Sequence, residues 1–281
     1  MAYDADGFLA AYDAVLSRWS VPVEMLELVS EFGTTHVNAC GPAGAQPLVL
    51  LNGGGTTAAV WFANVAGLSR VRRLYAVDRI GEPGGSQAGE RPISSPADLL
   101  DWLDGVLDGL GLPQADLCGH SYGGSIALSY ALRAPGRVAK LVLLDPTGCL
   151  AGFSASYLLH AAPVLARPNA VRAARFLAWE TGGIEIDPAW LELYKLGAEF
   201  PAAKPVTLRR PDSSELAACQ VPTLVLLAGA SRAHDLKRVE AGARLLPRAS
   251  IQMLAGVSHH GMPFIGAPEI NLAVVGFLSR P

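Results

Sequence analysis

Charge is scarce in this chain, and what there is nearly cancels. Only 17% of the 281 residues are charged, with a formal net charge of −3. No basic stripe is available for a phosphate backbone, so no nucleic-acid partner is expected. Long apolar runs are missing too. "PLVLL" (47–51), "LVLL" (141–144) and "TLVLLAGA" (223–230) have the length of strands. They fall far below the roughly 18–20 residues that cross a bilayer, and no membrane partner is expected. The four cysteines, Cys40, Cys118, Cys149 and Cys219, lie far apart. They show neither CxxC nor metal-ligand spacing, so free thiols in a reducing compartment are expected. The opening, "MAYDADGFLA", is acidic where a secretory leader would be basic and then apolar. A cytoplasmic location follows as the expectation.

What is present is apolar and periodic. Hydrophobic residues make up 51% of the chain, enough for one large core. Residues 4–17 read as a short helix, and 23–42 as a hairpin turning near Gly33. From residue 47 short strands (47–51, 72–77, 115–118, 139–144, 223–228, 250–254) alternate with helical patterns. Leu99, Leu103, Val106, Leu107 and Leu110 mark one helix face; Leu236, Val239, Ala243 and Leu246 mark another. A third runs through Ile270, Val274, Phe277 and Leu278. This alternation predicts an α/β fold with a doubly wound, mostly parallel sheet. It breaks over 151–210, which is helical, apolar and punctuated by proline. The expected division is therefore a core of 1–150 and 211–281 with a helical lid insertion at 151–210.

One short stretch carries chemistry. In "DLCGHSYGGSIALSYAL" (116–132), Gly119-His120-Ser121-Tyr122-Gly123 is a G-x-S-x-G turn between a strand and a helix. Such a turn forces the serine into a strained backbone conformation and leaves no room for bulk at the glycines. It holds the hydroxyl clear of the sheet and aims the Tyr122 N–H at any oxyanion formed there. Serine at a helix start is also an ordinary N-cap, but the strand–turn–helix context favours a nucleophile. A second glycine cluster in "LVLLNGGGTTAAVW" (48–61) follows an early strand. Gly54, with Gly55 as the alternative, would supply the other oxyanion donor; no Lys-Ser/Thr follows to make it a phosphate loop.

Serine requires a base, and histidine is the side chain suited to neutral pH. Of six histidines, His36 lies in the hairpin, His120 in the turn, His160 in the insertion and His234 in a loop. His259 and His260, in "AGVSHHGMP" (255–263), follow the last strand and can reach over the sheet edge.

With these features in place, the chain resembles the α/β-hydrolase fold superfamily from about residue 35 onward. "CGHSYGGSIALSYALRAPGRVAKLVLLDP" (118–146) is similar to the family's nucleophile turn, helix and following strand. "YAVDRIG" (75–81) is similar to the segment after the oxyanion loop, and "LPRASIQMLAGVSHH" (246–260) to the histidine segment, with His259 at the catalytic position. The front end, "YDAVLSRWSVPVEMLELVSEFGTTHVNACGPAGAQPLVLLNG" (12–53), further resembles a bacterial carboxylesterase-like subgroup. Two positions depart from the family pattern. Asn52 stands where the family carries a loop-supporting histidine, and Arg232 stands where it carries the acid that orients the base. Arginine would repel the imidazolium that forms. Asp145, ending "LVLLDP", is the first replacement, since some family members take their acid from that strand. Asp235, whose simplest role is a helix N-cap, is the second.

The resemblance implies a serine hydrolase acting on a small to medium apolar carboxylic ester, a small-molecule substrate, through an acyl-enzyme, with no metal or organic cofactor. Lactonase, thioesterase, carbon–carbon hydrolase and cofactor-free haloperoxidase relatives share the same triad. A non-catalytic ligand-binding protein on the same fold is the rival from another class.

Overall fold

The computed structural model describes residues 3–280. A helix, Ala5–Leu16, precedes a hairpin of β1 (Val23–Ser30) and β2 (Gly33–Cys40). Seven further strands follow: β3 (Pro47–Leu51), β4 (Arg73–Val77), β5 (Gln87–Ala88), β6 (Ala115–His120), β7 (Val138–Leu144), β8 (Thr223–Ala228) and β9 (Ala249–Leu254). They form one sheet in the order β1-β2-β4-β3-β6-β7-β8-β9, with β5 pairing onto β2. The pairings from β4 to β9 are all parallel; the hairpin and β5 supply an antiparallel edge. The strands expected from the sequence are present within a residue or two. Only β5 was not foreseen, because its two residues are exposed and carry no apolar pattern.

The short apolar runs are explained by burial on both faces. Along β3, Val49 and Leu51 join the core on one face, while Leu48 and Leu50 join the core on the other. Along β7, Leu141 and Leu143 alternate with Val142 and Leu144 in the same way. Successive side chains leave a strand on opposite sides, so a strand covered twice needs continuous apolar sequence. Each such leucine, fully buried, contributes about 1.5–3 kcal/mol relative to exposure. The expected helix stripes face the core: Leu99, Leu103, Val106 and Leu107, then Val239, Ala243 and Leu246, then Ile270, Val274, Phe277 and Leu278 are buried, and Leu110 and Leu236 are half-buried.

Between β7 and β8 lie four helices, Ala155–Ala166, Ala170–Glu180 and Pro188–Gly197, then the short Ser213–Ala218. The helical pattern expected over 151–210 stops after Gly197, and residues 201–212 run without regular structure. Pro201 and Pro205 account for the break, each removing a donor and restricting the residue before it.

The turn after β6 is tightly packed against backbone. A Cβ built on Gly119 would lie 2.3 Å from the Gly123 carbonyl oxygen, and one on Gly123 would lie 2.2 Å from that of Leu51. Gly105, inside the helix Pro96–Gly109, has open space where its Cβ would stand. Gly123→Ala is therefore expected to destabilise by about 3 kcal/mol or more through backbone overlap. Gly105→Ala is expected to stabilise by about 0.5–1 kcal/mol through helix propensity. Chemical denaturation of the two variants checks both signs.

Candidate active site

Parallel strands deliver their C-terminal ends to one rim, and four of those ends build the site. Ser121 follows β6 with φ +52° and ψ −118°, and opens the helix Tyr122–Arg133. Asp145 follows β7 with φ +41°. His259 lies five residues beyond the end of β9. The glycine loop follows β3.

The three side chains form a line. His259 Nε2 is 2.8 Å from Ser121 Oγ, and His259 Nδ1 is 2.6 Å from Asp145 Oδ2. Asp145 is wholly buried and His259 nearly so. Burial works against ionisation of Asp145, but the His234 and His259 imidazoles more than offset it and hold the carboxyl well below the usual range. Its other oxygen accepts the Ala228 N–H at 3.1 Å.

His259 is also held by its main chain. Its carbonyl lies 2.9 Å from His120 Nε2. Burial first, then the nearby His259 and His260, push His120 down to about 3, so it stays neutral and donates to that carbonyl. The Tyr157 ring stands edge-on to the His259 ring at 6.2 Å.

The glycine loop is held from outside the sheet. Arg79 donates to the carbonyls of Asn52 (2.7 Å) and Gly53 (3.2 Å) and pairs with Glu82 at 2.5 Å. Asn52 Nδ2 donates to the Thr56 carbonyl at 2.5 Å, the loop-supporting contact expected of that position. The Gly55 N–H is taken by Glu82 Oε2 at 2.9 Å, which removes Gly55 as an oxyanion donor. The Gly54 N–H has no acceptor among the described residues. A Cβ on Gly54 would lie 3.7 Å from that of Tyr122, whose own N–H is in the first helical turn and lacks an intrahelical partner.

Several sequence expectations need correction. Asp235 caps the helix Leu236–Ala243 through the Arg238 N–H at 3.0 Å, so the alternative acid is not brought to the site. Arg232 turns away and stacks its guanidinium over Trp179 at 5.1 Å. On the insertion, Leu158, Leu159 and Leu165 are exposed, whereas Phe176, Leu177, Trp190 and Leu193 are buried. Two residues near the reacting line were missed. His234, set aside as a loop histidine, is buried with Nε2 3.0 Å from Asp145 Oδ1, too oblique for a hydrogen bond. Glu180, from the insertion, accepts the His259 and His260 N–H groups. Nothing in the spacing of either residue signals these contacts, which exist only because distant loops converge.

Asp145, His234 and His259 offer ligand atoms within 4.8 Å of one another, a spacing a metal ion spans. A cation there would have to displace the proton between Asp145 and His259 and would break the line to Ser121. Among the described residues no helix is long and apolar enough to cross a membrane.

This geometry has counterparts among known proteins. The profile of the alpha/beta hydrolase family matches residues 48–271. Carboxylesterase YbfK of Bacillus subtilis (strain 168) is 32% identical over 96% of this chain and 93% of its own. The crystal structure of that protein superposes with a TM-score of 0.88 at 31% identity, covering 97% of both chains. The naproxen esterase of Bacillus subtilis superposes with a TM-score of 0.91 at 26% identity, covering 99% of both. On its fold, its site and these likenesses, the chain belongs to the alpha/beta hydrolase family, in its carboxylesterase-like branch.

Proposed function

We propose that the protein hydrolyses carboxylic esters in two steps through an acyl-enzyme on Ser121. The observation that carries this reading is the line Asp145–His259–Ser121, with contacts of 2.6 and 2.8 Å. His259 Nε2 takes the serine proton as Oγ attacks the ester carbonyl, and returns it to the departing alcohol. Water, deprotonated by the same nitrogen, then releases the acid. The Gly54 and Tyr122 N–H groups receive the negative charge on the former carbonyl oxygen. Asp145, kept ionised, fixes the tautomer with the proton on Nδ1 and stabilises the imidazolium.

The three insertion helices act as a cap. Tyr157, Phe176 and Tyr194 pack against His259 and His260, with Trp179 against Tyr157 and Phe176. These walls favour a small to medium ester with an apolar acyl or aryl part. A non-catalytic binder was attractive while no acid stood in the usual place; the Asp145 contact removes that ground.

Fluorophosphonate labelling read by intact mass tests the reading. One adduct is expected on the wild type and none on Ser121→Ala, which should also lose ester turnover; a folded wild type that never labels would refute it. Asp145→Asn should lower kcat about 10⁴-fold through loss of the correct tautomer. Asp235→Asn should leave kcat near normal and alter stability by less than about 1 kcal/mol, since asparagine also caps helices.

Four titratable groups crowd the reacting line: Asp145 and Glu180 are held low by the imidazoles beside them against the cost of burial, and His120 and His260 are held toward neutral by burial. On the acid side of neutrality the two carboxylates therefore stay charged and the two imidazoles uncharged, so log kcat/KM should not change there with a slope above about 1. A slope of about 2 would mean that one of the four takes part in the titration.

A further inference from the structure

Glu180 is a carboxylate where the insertion has no local use for one. It ends the helix Ala170–Glu180, the end at which the helix dipole disfavours negative charge. It is 1% exposed. Burial works against its ionisation, yet His260 first, and His259 after it, hold it down at about 2. Its two oxygens divide their work. Oε1 accepts the His259 N–H at 3.0 Å, and Oε2 accepts the His260 N–H at 2.9 Å. His260 Nδ1 also lies 3.3 Å from Oε2.

Together these contacts close a frame around one residue. The His259 N–H is held by Glu180, its carbonyl by His120, and its ring by Asp145 and Ser121. Main-chain and side-chain anchors on both sides leave the imidazole little freedom to swing. The loop that carries it has no strand or long helix of its own: residues 255–261 lie between β9 and the short helix Met262–Ile265. Hydrogen bonds from main-chain N–H groups to a buried charge are the strong kind, and they replace the missing secondary structure.

We propose that Glu180 is a positioning residue for the hydrolytic reaction, fixing the His259 main chain from the insertion so that the imidazole bridges Asp145 and Ser121. The proposal rests on the ester-hydrolase reading and adds that catalytic competence depends on the insertion being seated. When the insertion lifts, the two N–H groups lose their acceptor and the base loses its alignment. Closure over the substrate and assembly of the base are then one event.

The test compares wild type, Glu180→Gln, Glu180→Asp and a control, Glu185→Gln, which removes an exposed charge from the same insertion. Glutamine keeps the shape but presents an NH₂ to one of two N–H donors; aspartate keeps the charge but withdraws it by one methylene. Reactive serines are counted with a fluorophosphonate, and kcat per reactive serine and KM are measured on p-nitrophenyl butyrate. Hydrogen exchange across 256–262 is followed in parallel by mass spectrometry. Both Glu180 variants should lose about 10- to 100-fold in kcat per reactive serine, with KM changed less than about twofold. Exchange at the His259 and His260 amides should accelerate, and Glu185→Gln should match wild type. Unchanged kcat per reactive serine would overturn the proposal, even with fewer folded molecules, because Glu180 would then serve folding alone. So would a rise in KM at unchanged kcat, or unchanged exchange. A wild type that neither labels nor turns over ester would instead sink the hydrolase reading, and the positioning role with it.

Discussion

The 2.6 Å contact between Asp145 Oδ2 and His259 Nδ1 is the constraint to which the rest of the site conforms. A carboxylate with no solvent exposure stays ionised only if its surroundings supply compensating charge and donors. Here His259 Nδ1 and the Ala228 N–H donate to its two oxygens, and the His234 ring lies against one of them. The loop after β8 brings no carboxylate to the base; it brings His234 against Asp145. Arg232 is compatible with the site because its guanidinium leaves toward Trp179.

Much of this was legible in the sequence, for reasons that are physical. Strands buried on both faces must be apolar throughout, so β3, β6, β7 and β8 stood out as short runs between helical stripes. The Ser121 turn was legible because only glycine fits where a Cβ would overlap a carbonyl. His259 and Asp145 were legible through their places at strand ends in a family-like order. Glu180, His234 and the Arg79–Glu82 pair were not, because each acts across a gap in sequence or through main-chain groups that carry no residue identity. The choice between Asp145 and Asp235 also needed coordinates: both precede helical or turn segments, and only their surroundings separate a buried acid from an exposed cap. The exposure of Leu158, Leu159 and Leu165 was hidden for the opposite reason, since helical spacing does not say which face meets the core.

The insertion touches both halves of the machinery. Through Glu180 it holds the histidine loop, and through residues 201–212 it reaches the oxyanion side. The Tyr122 hydroxyl donates to the Val206 carbonyl at 2.7 Å, and the Ala203 N–H to the Gly81 carbonyl at 2.7 Å. Tyr122 also lies beneath the Arg79 guanidinium, 5.1 Å from its ring centre, so the same arginine that clamps the glycine loop packs on the nucleophile turn. The insertion is thereby hydrogen-bonded both to the loop that carries His259 and to the turn that carries Ser121.

Backbone strain locates the site as surely as side-chain chemistry does. Among the described residues, the non-glycine positions with positive φ are Ser121 and Asp145. Each costs about 1–2 kcal/mol, and such strain persists only where neighbours over-determine it. The neighbours do so in the same way twice. The Ser121 N–H bonds to the Leu144 carbonyl on β7, and the Asp145 N–H bonds to the Leu226 carbonyl on β8. Each residue therefore extends its strand's ladder by one step and then turns sharply away from it. Ser121 and Asp145 stand one strand apart on the same rim, with the His259 ring spanning between them. The sheet's parallel register sets that spacing, and the two strained turns release both side chains at the rim where the histidine loop can meet them.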